Sequence, residues 1–204
     1  MLHDLVTLSC PLLALDRAAA GLRTWTAEPE ARGALLGCWR TDIGELGRVV
    51  ALRGFGTLDD LMAERDRAAL SPRPLGAVPE TDTVSLEGHR PFPFLPAARP
   101  GRRGRVYEFR TYRLRAGGLL PTLRGWEAAL GRARPYADHL VTALSALDGA
   151  TRIAHVWAFD SLEERARLRA EAYAAGVWPP PGGPESILRA TSTIAVPEPF
   201  SPLC

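Results

Sequence analysis

The spacing of apolar side chains along this chain switches between a period of two and a period of about 3.6 in a fixed order, and that order occurs twice. Residues 106–114 alternate and are rich in aromatic and β-branched side chains, which predicts a strand. Leu119, Leu123, Trp126 and Leu130 then recur on one helical face, with Pro121 near the start, where a missing N–H does no harm. Two short apolar strands, 139–147 and 152–159, flank the Asp148-Gly149 turn of a hairpin. Ser161 followed by Glu164 reads as a capping box, and Leu162, Ala166, Arg169 and Tyr173 continue that helix. A last strand over about 188–196 completes a βαββαβ unit.

The first half repeats the order. Its predicted helices run over 15–26 and 58–70, with Thr57 and Asp60 as cap partners and a hairpin turn at 44–47. Sliding the chain by 104 positions places 48–55 on 152–159, 56–65 on 160–169, and 2–7 on 106–111. Near the ends the offset becomes 108, so a four-residue indel falls between the second helix and the last strand. The domain expectation is a degenerate ferredoxin-like repeat at 1–95, a Pro/Gly/Arg linker at 96–104 and a second repeat at 105–204.

Such a module carries both helices on one sheet face, so its bare face must be buried. The expected fold class is therefore α+β, two tandem ferredoxin-like modules packing sheet to sheet as a barrel with helices outside. Size serves to assign the faces. Small Ala154, Val156 and Ala158 are placed toward the helices, with Tyr107, Phe109 and Thr111 of the first strand. Ile153, His155, Trp157 and Phe159, with Glu108, Arg110 and Tyr112, are placed in the barrel lumen. In the first copy, Leu2, Asp4, Val6, Leu8, Val49, Ala51, Arg53 and Phe55 are placed there too. The lumen is thus expected to be polar and aromatic in the second copy and plainer in the first.

Composition narrows the classes. Over 204 residues, 46% hydrophobic and 24% charged side chains suit ordinary globular modules. The net charge of +2 gives no case for nucleic acid, and no apolar run reaches the ~18 residues of a membrane span. Every one of the 25 basic residues is arginine, which points to a GC-rich genome more than to an anion-binding surface. Three cysteines without close spacing favour reduced thiols over disulfides or zinc. With no signal or transit pattern at the N-terminus, the expected location is the cytoplasm.

Residues 106–114, Val-Tyr-Glu-Phe-Arg-Thr-Tyr-Arg-Leu, resemble the opening strand of the NIPSNAP family. Residues 155–165, His-Val-Trp-Ala-Phe-Asp-Ser-Leu-Glu-Glu-Arg, resemble its second signature, and Trp178 matches a tryptophan that trails the following helix. Residues 39–44 and 52–55 keep a fainter version in the first copy. The resemblance implies a dimeric α+β barrel fold, whose superfamily includes cofactor-free monooxygenases, isomerases, polyketide cyclases and haem-binding decarboxylases.

The four histidines are scattered, with no metal-ligand spacing, and neither a phosphate loop nor a nucleophile elbow occurs, so no cofactor is expected. His155 is the candidate proton carrier, with a hydrogen-bonded core histidine as the competing reading. Arg110 could hold an enolate, phenolate or carboxylate oxygen, or simply pair with Glu108 or Asp4. Tyr112 could donate to the same oxygen. Trp157, Glu108, Arg53 and Trp39 complete the expected substrate-binding set, although core packing competes for both tryptophans and a solvated strand end for Arg53. Arg165, Arg167 and Arg169 read as a solvated helix face. The expected function is metal- and nucleotide-independent catalysis on an aromatic or polyketide-like substrate of bacterial specialised metabolism, through an enolate-type intermediate. The expected partner is a small molecule in the lumen, with homo-oligomerisation left open. A non-catalytic binder or adaptor is the alternative.

Overall fold

The computed structural model describes all 204 residues. Its strands are β1 (Leu2–Ser9), β2 (Ala34–Ile43), β3 (Arg48–Phe55), β4 (Thr83–Pro91), β5 (Val106–Leu114), β6 (Leu140–Ala146), β7 (Arg152–Phe159) and β8 (Ile187–Pro197). Its helices are α1 (Leu15–Ala27), α2 (Leu58–Ala69), α3 (Leu119–Leu130) and α4 (Leu162–Ala174). The fold class is α+β, as expected, and each repeat keeps the strand–helix–strand–strand–helix–strand order. The chain divides into two compact units. Unit 1 comprises Met1–Arg90, Arg99–Arg102 and Ile194–Cys204; unit 2 comprises Pro91–Ala98 and Arg103–Thr193.

Unit 1 orders its strands β4-β1-β3-β2, the ferredoxin-like pattern, and the end of β8 pairs with β2 from Ile43↔Ile194 to Trp39↔Pro197. Unit 2 repeats the pattern as β8-β5-β7-β6. Both second helices start as their sequences require. Thr57 Oγ1 accepts from the Asp60 amide, and Ser161 Oγ accepts from the Glu164 amide, each at 3.1 Å. The repeat also survives as a close helix–loop approach. A Cβ on Gly21 of α1 would lie 2.1 Å from the Gly76 carbonyl oxygen. A Cβ on Gly125 of α3, 104 positions later, would lie 2.0 Å from that of Pro181. Only glycine lets each helix sit this close to the segment that follows its unit's second helix. Just ahead of the expected linker, Phe92 is buried against Trp126 at 5.5 Å, and its amide donates to the Ala143 carbonyl.

The face assignment made from residue size is reversed. In unit 2, Trp126 of α3 meets the His155 ring edge-on at 4.9 Å, and Arg165 of α4 grips Glu108. Ile153, Trp157 and Phe159 share one apolar cluster with Trp126, Leu168 and Ala172 of the helices. His155, Trp157, Glu108, Arg110 and Tyr112 therefore lie beneath the helices, not on the bare face. Tyr107 and Ala158, paired across β5 and β7, occupy the opposite face. Unit 1 agrees: Val6, Leu8, Val49 and Ala51 pack with α1, and Asp4 pairs with Arg65 of α2 at 2.7 Å. Alternation separates two faces but does not say which one the helices cover. The small side chains simply lie on the other one.

Arg53 shows what the helix-covered face of unit 1 contains. It is wholly buried, pairs with Glu64 of α2 at 2.7 Å, and also donates to the Arg32 carbonyl. Its expected alternative, a solvated strand end, does not hold. Glu64 accepts in addition from the Trp25 indole at 2.8 Å, the Arg32 amide at 3.0 Å, and Arg67 through both Nε and Nη2. Burial alone would raise the Glu64 carboxyl; the Arg67 bonds, the Arg32 amide, the Arg53 charge and the Trp25 N–H outweigh it and hold it down to about 2. A carboxylate saturated this way repays its desolvation only while every donor stays.

Breaking one half should therefore cost more than removing both. Arg53→Met is expected to lower unfolding free energy by about 3–5 kcal/mol, and Arg53→Met with Glu64→Met to recover much of that, measured by urea denaturation. The folded carboxyl lies below the unfolded value of ~4.3, so the network's stabilisation is complete above that pH and fades as pH falls toward about 2.

Candidate functional site

Beneath the helices of unit 2 lies a cavity of about 220 Å³. Tyr112 comes from β5, Thr122 and Trp126 from α3, Tyr173 from α4 and Ile187 from β8, while Trp178 and Pro179–Pro180 close it from the segment after α4. Tyr112, Thr122 and Trp126 correspond, 104 positions earlier, to Leu8, Ala18 and Leu22, and in unit 1 those three side chains are fully buried in a continuous apolar core. At these three positions one repeat is filled by apolar side chains and the other lines a cavity. A wider groove of about 970 Å³ runs along α1 in unit 1, where Arg40 pairs with both Asp16 and Glu198 and Arg23 lies over the Phe200 ring at 5.4 Å.

Two hydroxyls face the unit 2 cavity with capacity to donate. The Tyr112 hydroxyl makes no hydrogen bond within the protein, and burial raises its ionisation above the ordinary phenol value, so it is a phenol at neutral pH. The Tyr173 hydroxyl accepts from Arg169 Nη2 at 3.2 Å, which leaves its own proton available. Each ring carries a guanidinium over its face: Arg110 at 5.4 Å from the Tyr112 centroid and Arg169 at 5.2 Å from that of Tyr173.

His155 sits directly behind this wall, 4.8 Å from the Tyr112 ring and 4.9 Å from Trp126, and does not itself line the cavity. Its Nδ1 accepts the Trp157 indole N–H at 2.6 Å. That bond fixes the tautomer with the proton on Nε2, which is buried and has no partner. Burial, with the Arg110 charge, pushes the imidazole down to about 3. A neutral ring whose remaining nitrogen already bears hydrogen is a donor and not a base. Trp157 is held flat by Tyr136, stacked at 4.4 Å, so it both fills the core and orients the histidine.

Glu108 is spoken for. Arg165 bonds both its oxygens at 2.9 and 2.5 Å, and Ser192 donates at 2.6 Å, while Arg110 stands 3.7 Å off. Burial would raise the Glu108 carboxyl, but Arg165, Ser192 and Arg110 prevail and lower it. Arg165 and Arg169, expected to be solvated, are therefore part of the site, whereas Arg167 pairs with Glu171 at the surface. Trp39 and Arg53 belong to unit 1 and are not part of this cavity. Trp39 lies on the sheet face away from the helices, where the missing Cβ of Gly37 leaves room for its ring. Tyr136 carries no local motif, and spacing places Tyr173 on the last helix without giving it a role; the complementary charges Glu108 and Arg165 were the available signal for which face the helices cover.

The tautomer is testable by ¹⁵N NMR. His155 should show a protonated Nε2 and remain neutral at about pH 5, between its value near 3 and the unfolded ~6.5. In that window the unfolded chain binds more protons than the folded one, so stability should rise with pH. Trp157→Phe should release Nδ1 and mix the tautomers.

The chain resembles several known proteins. The NIPSNAP family model matches residues 13–86 and 107–202, one segment for each repeat. A NipSnap homolog from Dictyostelium discoideum is 23% identical over 147 residues, 70% of this chain, and the chain spans only 65% of that relative's length. A NIPSNAP family protein of unknown function from Agrobacterium tumefaciens is 31% identical across 50% of this chain and 96% of its own, with a TM-score of 0.42. The crystal structure of an anthrone oxidase-like protein shares the fold across 98% of this chain and 93% of its own, with a TM-score of 0.68 at 13% identity. With both repeats matched across most of the sequence, the chain belongs to the NIPSNAP family.

Proposed function

We propose that unit 2 is the working half of this protein and that its cavity binds a small planar ligand, on which the protein acts without metal or nucleotide through an enolate- or phenolate-type intermediate. The observation that carries this reading is the hollow beneath the unit 2 helices, at positions where unit 1 is filled by Leu8, Ala18 and Leu22. A cavity of ~150 Å³ can hold benzene, and drug-sized pockets begin near ~300 Å³. About 220 Å³ therefore suits one or two fused rings, the smaller end of the aromatic or polyketide-like class. The aromatic walls would stack on such a ligand. Tyr112 would donate to its developing oxyanion, with the Arg110 charge behind the ring and the neutral His155 beyond it. Cyclisation, isomerisation and dehydration all share that intermediate, as does oxygenation with dioxygen as the oxidant.

The part once expected of His155, carrying a proton, is not favoured by this geometry, because the Trp157 N–H occupies the only nitrogen that could accept one. A positioning role behind Tyr112 fits better. No carboxylate or histidine lines the cavity, and that observation favours a second reading, a binder that sequesters its ligand without altering it.

Deuterium exchange separates the two. Incubating the protein with a small bicyclic aryl ketone in buffered D₂O should accelerate exchange at the carbon next to the carbonyl, followed by NMR, with buffer base taking the proton while Tyr112 donates to the enolate oxygen. Tyr112→Phe should slow that exchange roughly 100-fold, the usual effect of deleting one oxyanion donor. Binding with no exchange above the solvent rate would favour the sequestering role.

A further inference from the structure

We infer that this cavity takes its ligand as an anion already formed in solution, a planar aromatic bearing a carboxylate or an ionised hydroxyl, selected by Arg110 and Arg169 acting through Tyr112 and Tyr173. The inference rests on the reading that the cavity is the ligand site, and adds the charge state of what enters.

Two independent features lead to it. The first is the charge balance. Glu108 is the one carboxylate buried against this cluster, and its oxygens are taken by Arg165 and Ser192. Arg110 is left 3.7 Å from it, and Arg169 has no carboxylate partner, only the Tyr173 hydroxyl at 3.2 Å. Two guanidiniums thus exceed the negative charge at hand, each lying over a tyrosine that lines the cavity. A bound anion would complete the balance.

The second feature is the direction of the free hydrogen bonds. Tyr112 and Tyr173 both have a proton to give, while the Thr122 hydroxyl is committed to the Gly118 carbonyl at 2.8 Å. The walls can donate to an oxygen, and no side chain there is placed to remove a proton from the ligand. A ligand that loses its proton in water avoids the need for such a base. Arg169, absent from any motif in the sequence, becomes the residue that distinguishes an acid from its neutral counterpart.

The test uses the full chain and two probes of one shape, naphthoate and naphthalenemethanol, titrated by calorimetry at neutral pH. Naphthoate should bind about tenfold tighter, the effect of one charge-assisted contact. Arg169→Met, a partly exposed position, should reduce naphthoate to the affinity of the alcohol and leave the alcohol unchanged. Equal affinities in the unaltered protein would overturn the anion preference while leaving the cavity as a ligand site. Unchanged naphthoate binding in Arg169→Met would overturn the role of Arg169. Binding of neither probe would overturn both the preference and the site on which it rests.

Discussion

A charge on the helix-covered face of a ferredoxin-like sheet leaves water entirely, so it needs an opposite charge on the helix above it. Both repeats obey this constraint with different residues. Asp4 meets Arg65, Arg53 meets Glu64, and Glu108 meets Arg165. In each case the strand partner is fully buried and the helix partner comes from the second helix of its unit. These pairs tie that helix to the sheet.

From that common frame the repeats diverge. Unit 1 fills the layer with leucine and alanine, and spends its remaining polarity on the saturated Glu64 carboxylate. Unit 2 replaces Leu8, Ala51 and Leu22 with Tyr112, His155 and Trp126, whose planar rings meet edge to face. Rings packed in this way do not close the layer completely, and a cavity remains between them and the proline-rich segment that follows α4. One duplicated fold thus fills this layer with apolar side chains in one half and leaves a cavity with polar groups facing it in the other.

Much of this was legible in the sequence. The duplication, the helix caps at Thr57 and Ser161, and the ferredoxin-like order follow from periodicity and the fixed offset, because those signals are local or repeated. The side of the sheet was not legible from residue size. Trp157 and Phe159 are large, yet they fit beneath the helices because Tyr136 stacks on both rings and Ala172 leaves room above. Matching charges between strand and helix would have given the right answer. Arg110, Tyr112 and His155 were singled out together and do lie together, but the tautomer of His155 depends on a hydrogen bond from Trp157, two residues away on the same strand. Tyr173, which spacing places on α4 without giving it a role, lines the cavity, and Arg169 one turn earlier lies over its ring.

Diffraction from crystals pressurised with xenon tests the central asymmetry directly, since xenon enters apolar cavities and not packed cores. The account predicts a xenon atom in unit 2 between Trp126, Trp178 and Ile187, and none in unit 1 among Leu8, Ala18 and Leu22. Xenon in the unit 1 layer, or an empty unit 2, would contradict it.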